Sequence, residues 1–399
     1  MKLIPSHLKN NVLETMIHLL DCKREEIIAE NKKDLAAFDQ EDKALYDRLV
    51  VNSKKVDEMI KAIKEVQAQS DPVGKDISNI TLNSGLHIIN KTAPFGTIMI
   101  IYESRPDVTI EAAVLAFKAN NKILLKGGKE AFHSNRILEQ CWHEALTANG
   151  LEKDWIRLLH LNRIETQSFL KNPPEKIDLI VPRGGERLIQ FVKEHATCAV
   201  LISGRGNNFL YVHEDADWEK AMSVILNAKT HKISGCNALD KVLIHEDIAQ
   251  FPEKLKALKN MLDEHQVAIL TDDATSKILN DVPTINSETI WYEEFLAMKI
   301  VVAKTSSLEE AVQKINRYSG GHSASIITEN KDTALTFMQQ VDSAAVYHNA
   351  STRFTDGGQM GVGAELAIST DKLHHRGPLG LKQLVTNKYY VFGDGHVRV

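Results

Sequence analysis

The feature that most limits what this chain can fold into is a series of short, largely apolar runs that do not alternate, separated by stretches with helical spacing. The runs are Thr97 to Tyr102, Lys122 to Leu125, Ile156 to Leu161, Ile177 to Val181 and Cys198 to Ile202. Between them lie Asp107 to Ala119, Glu130 to Ala148, Ile164 to Leu170 and Glu186 to His195, all of helical texture. Strands that are apolar without alternation are buried on both faces, and crossover helices are what cover both faces of a parallel sheet. The pattern predicts a doubly wound α/β domain. The rhythm then restarts with helix Ala216 to Lys229, strand Lys241 to His245 and helix Gln250 to Glu264, followed by strands Lys299 to Ala303, Ala324 to Thr328 and Ala344 to His348. A second α/β domain is therefore expected, with one of its helices capped by Ser306 or Ser307 and Glu309 or Glu310 three residues on.

The first 70 residues read as helical, from apolar residues such as Val12, Met16 and Leu20 at helical spacing. Ile77 to Gly96 reads as a projecting hairpin around Asn83-Ser84-Gly85, and the last strand, Tyr389 to Phe392, fits neither sheet. Together they form an expected edge for self-association. The 399 residues carry 48 Lys+Arg against 53 Asp+Glu, a formal charge of −5. Such a balance creates no bulk field for a nucleic acid or an anionic membrane, so neither is expected as a partner. The longest apolar runs are far shorter than a membrane span, and the N-terminal residues lack a secretory pattern, so a cytoplasmic location is expected. The four cysteines, Cys22, Cys141, Cys198 and Cys236, are too far apart for CxxC chemistry and read as reduced thiols.

Neither G-x-G-x-x-G nor the P-loop signature occurs. Glycine-rich turns do follow two of the strands, at Lys126-Gly127-Gly128-Lys129 and at Arg183-Gly184-Gly185. Each alone is an ordinary strand-to-helix turn, but two on the C-terminal edge of one parallel sheet form a place where main-chain N–H groups can meet phosphate. Cys236 lies in a polar loop joining the two α/β halves, with Lys229, His231 and Lys232 nearby to favour thiolate and Gly235 beside it. The alternative is a structural thiol, the reading given to Cys22, Cys141 and Cys198. Sixteen histidines include no HExxH, so no metal site is expected. No G-x-S-x-G elbow occurs either, which weakens an α/β-hydrolase reading. Arg105, directly after a strand and before Pro106, is a candidate anion ligand or a plain turn arginine.

Five segments carry a resemblance more specific than spacing. They are Tyr102-Glu-Ser-Arg-Pro106, Leu125-Lys-Gly-Gly-Lys-Glu130, Asp178-Leu-Ile-Val-Pro-Arg-Gly-Gly185, Cys236-Asn-Ala, and the stretch Gly363-Ala-Glu-Leu-Ala-Ile-Ser-Thr-Asp-Lys-Leu-His-His-Arg-Gly-Pro-Leu-Gly380. In order and over nearly the whole chain, they resemble the gamma-glutamyl phosphate reductases of the aldehyde dehydrogenase superfamily. The resemblance implies two doubly wound α/β domains, a Rossmann-variant cofactor domain and a catalytic domain, plus a small β oligomerisation element. The expected boundaries are 1–76 and 93–204 with part of 363–384 for the cofactor domain and 205–362 for the catalytic domain. The hairpin 77–92 and the strand 385–399 form the oligomerisation element.

It further implies NADPH-dependent reduction of L-glutamyl 5-phosphate to glutamate 5-semialdehyde in proline biosynthesis, a homo-oligomer, and glutamate 5-kinase as a partner. By motif, Cys236 becomes the nucleophile, Ser104 and Asn237 groups near the oxyanion, and Lys126 the ribose contact. Gly127, Gly128 and Lys129 complete its loop. Gly184 and Gly185 become the pyrophosphate loop and Glu294 the nicotinamide-ribose ligand. Arg105, His322 and Arg353 are expected to hold the substrate's carboxylate or phosphate. Three positions depart from the family. Lys126 replaces a usual Arg, Asn120 a usual Gly, and Ser203-Gly-Arg-Gly-Asn-Asn-Phe-Leu-Tyr211 a stretch that typically ends Cys-His-x-Tyr. An ungapped count back from Asp215-Ala-Asp217 puts Ile202 where hydrolytic relatives carry a water-activating Glu. The rival readings are a CoA-acylating or hydrolytic aldehyde dehydrogenase and a catalytically silent binding protein on the same fold.

Overall fold

The computed structural model describes residues 2–38 and 43–398. Residues 39–42 of the expected N-terminal helical stretch, and the terminal residues 1 and 399 of the expected first and last segments, lie outside the described residues. The chain forms two compact units: residues 1–202, 362–367 and 379–399 make the first, and residues 203–361 and 368–378 the second.

The first unit begins with helices Ser6–Cys22, Arg24–Ala37, Lys43–Leu49 and Ser53–Ala68. Their apolar stripe, including Val12, Met16, Leu20, Val56 and Ile63, is fully buried. A hairpin follows, β1 (Asp76–Thr81) and β2 (His87–Pro94). The next strands are β3 (Thr97–Tyr102), β4 (Lys122–Lys126), β5 (Ile156–Leu158) and β6 (Leu179–Arg183). They form a parallel sheet in the order β5-β4-β3-β6. Its two faces feed separate cores, which is why the runs do not alternate. Ile98, Ile100 and Tyr102 pack with the N-terminal helices and with helix Phe132–Ala148. Met99 and Ile101 pack on the opposite face with Leu170 and Val192. The expected strand Cys198 to Ile202 is reduced to one bridge, Ile180 to Val200. Its main chain meets β6 through Ile180 alone, whose N donates to Ala199 O and whose O accepts from Leu201 N, each at 2.9 Å.

The Gly-to-Asn departure at Asn120 has a local reason. Its φ is 60°, a left-handed conformation that Asn tolerates better than most residues, and its Oδ1 accepts a hydrogen bond from Ile4 N at 2.8 Å. The side chain thus ties the turn to the start of the chain, which a glycine could not do.

The second unit holds β7 (Asn208–Val212), β8 (Leu239–His245), β9 (Ala268–Thr271), β10 (Lys299–Thr305), β11 (Ser323–Ile327) and β12 (Ala345–His348). They are ordered β12-β11-β7-β8-β10-β9 and pair in parallel. Again two cores form: Leu210, Val242 and Ile300 on one face, Phe209, Leu243 and Val301 on the other. The helix Leu308–Tyr318 is capped by Ser307, whose Oγ accepts from Glu310 N at 3.1 Å, while Glu310 accepts from Ser306 N at 2.7 Å. Of the two Ser/Glu pairs expected, Ser307 with Glu310 makes the cap. Strands β13 (Glu365–Ser369) and β14 (Gly377–Gly380) form a two-stranded sheet. Finally β15 (Val385–Phe392) returns to the first unit and pairs antiparallel with β2, completing a three-stranded sheet β1-β2-β15.

Candidate active site

The loop after β4 carries Lys126 to Lys129 and leads through one 3-10 turn, Lys129–Ala131, into helix Phe132–Ala148. It has no room for side chains at its glycines. A Cβ on Gly127 would lie 2.2 Å from Asn135 Nδ2, and one on Gly128 would lie 1.9 Å from Glu130 Oε1. Lys126 is half-buried and its Nζ donates to Gly127 O at 2.7 Å. Burial lowers its pKa, with the Glu130 carboxylate acting in the opposite sense. Lys129 is exposed. A cavity of about 310 Å³ lies against this loop, walled by Phe132, Leu158, Leu159 and His160.

The loop after β6 opens helix Glu186–His195. Gly184 is crowded, since a Cβ would lie 2.5 Å from Glu103 Oε2. Gly185 is the N-cap, has open space where a side chain would be, and brings no side-chain cap to the helix start. The N-cap N–H donates to the Glu103 carboxylate at 3.2 Å, the place an anion takes at a helix N-terminus. With the apolar ledge and the lysines of the β4 loop, these residues fit a dinucleotide.

Ser104 and Arg105 form the turn after β3. Ser104 is buried with φ 42°. Its Oγ donates to Glu130 Oε1 at 2.8 Å and its N donates to the same oxygen at 2.7 Å. The single hydroxyl proton is committed to this carboxylate, which leaves an oxyanion to other donors, in line with a hydroxyl standing where superfamily relatives carry an oxyanion-binding Asn. Arg105 is half-buried; burial and the neighbouring Arg183 charge lower its pKa, while Asp107 and Glu111 oppose the shift.

In the second unit, Cys236 sits between helix Trp218–Thr230 and β8 in a tight turn in which Ala238 N donates to Gly235 O at 2.9 Å. The stretch that departs from the family pattern carries this turn. Asn208 Nδ2 donates to Cys236 O at 2.8 Å and to Ala238 O at 2.7 Å. Gly206 packs so closely that a Cβ there would lie 2.0 Å from Cys236 O. From the other side Thr352 Oγ1 donates to Asn237 O at 2.8 Å. Arg353 lies beside the turn: a Cβ on Gly235 would fall 2.5 Å from its Nη1. Its guanidinium pKa is lowered by burial and raised by the Cys236 charge, so the two groups stabilise each other's ionised forms.

Two expectations are corrected here. Asn237 Nδ2 donates to Thr355 O at 2.9 Å and Arg353 O at 3.2 Å, so its two amide protons are used on carbonyls. Its amide anchors the loop. His322 is fully buried, its Nδ1 meets Ser323 Oγ at 2.7 Å, and burial pushes its pKa down to about 4. A neutral, enclosed imidazole supplies no positive charge for a carboxylate or phosphate. Its hydrogen-bond chain continues from Ser323 to Thr355 Oγ1.

The structure therefore gathers Cys236, Asn237 and Arg353 in the second unit. In the first it gathers Ser104 with the β4 loop, and the β6 loop with Glu103, which accepts from Gly185 N at 3.2 Å. Glu294 lies in the second unit, in the segment after helix Thr289–Tyr292. Sequence reading missed Glu103, Glu130, Asn208 and Thr352. Glu130 and Asn208 had a legible signal, a carboxylate beside a double glycine and a polar pair opening an apolar run. Glu214, His245 and Asp247 place ligand-capable atoms within 4.8 Å of one another, but His245 Nδ1 already accepts from Asp247 N at 3.1 Å. No described helix is long and apolar enough to cross a membrane.

The chain belongs to the aldehyde dehydrogenase family, whose model matches residues 5–273 and 274–365. Parallel sheets with flanking helices are the shared frame. Within that family its relatives are the gamma-glutamyl phosphate reductases. The one from Persephonella marina is 41% identical over 404 residues, covering 99% of this chain and 90% of the relative. The crystal structure of the Thermotoga maritima gamma-glutamyl phosphate reductase is 40% identical with a TM-score of 0.94, covering 99% of this chain and 95% of that one. The glyceraldehyde-3-phosphate dehydrogenase of Methanocaldococcus jannaschii, solved in complex with NADP, shares the fold at 15% identity. Its TM-score is 0.69, with 98% of this chain and 90% of that one covered. The chain is an oxidoreductase.

Proposed function

We propose that the chain reduces L-glutamyl 5-phosphate to glutamate 5-semialdehyde with release of phosphate, using NADPH and a thioacyl intermediate on Cys236, as a step of proline biosynthesis. The observation that carries this reading is identity of about 41% over 99% of the chain with a protein named for that reduction. The main chain of the Cys236 turn is held from both sides, by the Asn208 amide and the Thr352 hydroxyl, with an arginine alongside. Arg353 favours thiolate and receives the departing phosphate. The Cys236 main-chain N–H is assigned to the oxyanion, since the Ser104 hydroxyl and the Asn237 amide are engaged elsewhere. NADPH, when bound, supplies the hydride that converts the thioester to the aldehyde level. Lys126, Gly127, Gly128, Lys129, Gly184, Gly185 and Glu294 would hold it, and Lys129 is an exposed cation that would meet a 2′-phosphate.

The reading extends to a cytoplasmic homo-oligomer, supplied with its unstable acyl phosphate by glutamate 5-kinase. Support for self-association comes from β15, where Tyr389, Val391 and Phe392 are each more than half exposed on a strand with one edge paired.

The deciding experiment oxidises glutamate semialdehyde with NADP⁺, with and without inorganic phosphate. Wild type should turn over in phosphate and stop after about one turnover without it. Cys236→Ala should lose turnover by at least ~1,000-fold while still binding NADPH. Sustained phosphate-free turnover would make the enzyme hydrolytic, and activity within tenfold of wild type in Cys236→Ala would remove the nucleophile assignment.

A further inference from the structure

The segment around Glu294 is tied down by an unusual number of buried polar groups. Lys241, at the start of β8, is fully buried, and its Nζ donates to Glu293 O and to Asn207 Oδ1, each at 2.8 Å. The next residue back, Asp240, accepts from Phe295 N at 3.0 Å through Oδ2 and from the buried Lys229 at 2.9 Å through Oδ1. The main-chain groups on both sides of Glu294 are thus held by two consecutive residues of one strand.

Asn207 extends the grip. Its Nδ2 donates to Trp291 O at 2.7 Å and Tyr318 O at 2.8 Å, and Arg205 Nη1 donates to Tyr292 O at 3.3 Å. Phe295 closes the arrangement, with Lys241 Nζ 3.9 Å from its ring centroid. The same short stretch also holds the nucleophile, because Asn208 carries the Cys236 carbonyl. Residues 205 to 208 therefore grip the Glu294 segment with one side and the Cys236 turn with the other.

This is an expensive way to hold a loop. Burial pushes the Lys241 ammonium down to about 7, with Asp240 and Glu293 opposing the shift and Lys229 and Lys299 adding to it. A buried ammonium contributes less to stability than an apolar side chain of its size, so packing alone does not account for it. What it gives is a fixed carbonyl at Glu293.

We propose that Lys241, with Asn207 and Asp240, is a positioning clamp that sets the Glu294 carboxylate for the ribose next to the nicotinamide, in register with Cys236. The proposal rests on the reading of Glu294 given above, and it adds residues that touch neither cofactor nor substrate. The clamp acts on cofactor affinity through Glu294 and leaves the thiol alone.

The test measures the NADPH dissociation constant by cofactor fluorescence, and the iodoacetamide alkylation rate of Cys236 in the cofactor-free enzyme, for Lys241→Met, Asn207→Asp, Glu294→Gln and Lys241→Met/Glu294→Gln. Lys241→Met should weaken NADPH about tenfold, Asn207→Asp several-fold, and alkylation should stay within twofold of wild type. The double variant should be little weaker than Glu294→Gln alone, because the clamp has lost the group it positions. Asn207→Asp keeps the Lys241 acceptor and serves as the readout should Lys241→Met not fold. Wild-type NADPH affinity in Glu294→Gln would overturn the ribose reading and the clamp with it. Impaired Glu294→Gln beside wild-type affinity in the clamp variants would overturn the clamp alone. Fully additive losses, or alkylation falling in step with affinity, would show general loosening of the unit and also overturn it.

Discussion

The glycine loops of the two units are crowded in different ways. In the first unit a Cβ on Gly127, Gly128 or Gly184 would meet the ends of side chains, from Asn135, Glu130 and Glu103. In the second unit the glycines of residues 204–206 and Gly320 clash first with main chain, Gly204 with Gly320 O at 2.3 Å, Gly206 with Cys236 O at 2.0 Å and Gly320 with Arg205 O at 2.0 Å, while Gly235 meets the end of the Arg353 side chain. Side-chain ends can swing away; a packed backbone cannot. A dinucleotide spreads its contacts over many groups and tolerates small adjustments in any one of them. A nucleophile must meet one carbon atom along one line, and displacement by even ~1 Å costs ~100-fold in rate.

Substitutions can break this comparison. Gly206→Ala should be the most damaging of the loop changes, lowering kcat by ~100-fold or more with a clear loss of thermal stability, because the Cys236 carbonyl has to move. Activity within threefold of wild type would show that the Cys236 turn is as yielding as the β4 and β6 loops. Arg353→Gln comes next, at ~10- to 100-fold in kcat/KM. Removing the guanidinium raises the thiol pKa, so the acid limb of the pH–rate profile should move to higher pH, and an unmoved limb would detach Arg353 from the thiol. Gly128→Ala displaces only the Glu130 carboxylate and should raise the KM for NADPH by ~3- to 10-fold with little change in kcat. Lys129→Ala should have the smallest effect, a loss of ~3- to 5-fold in preference for NADPH over NADH, measured as the ratio of kcat/KM values.

The same contrast governs how far the sequence could be read. Strand β3 and helix Glu186–His195 are found at their expected limits, because an unbroken apolar run and a clean amphipathic period are local signals. Strand β7 was not anticipated: it opens with Asn208, directly after a glycine-rich stretch that reads as loop. The polarity that hides the strand is what holds Cys236. The motif residues Cys236, Lys126 and Gly184 were visible by resemblance, whereas the engagement of Ser104 by Glu130 and of Asn237 by two carbonyls depends on which protons are already spent. Spacing does not encode that. His322 was placed by its closeness to matched motifs along the chain, and burial removed the charge the role required.

Strand β15 pairs with β2 residue by residue, from Val385 opposite Pro94 to Phe392 opposite His87. During translation the hairpin emerges early, and its partner is not made until almost three hundred further residues have been added. Until then the β2 edge that β15 will cover is open. Pairing between such distant segments is slow to form and leaves a sticky edge meanwhile. Ribosome-bound chains stalled before residue 385 should therefore be the aggregation-prone species of this protein, and those released after residue 392 should not.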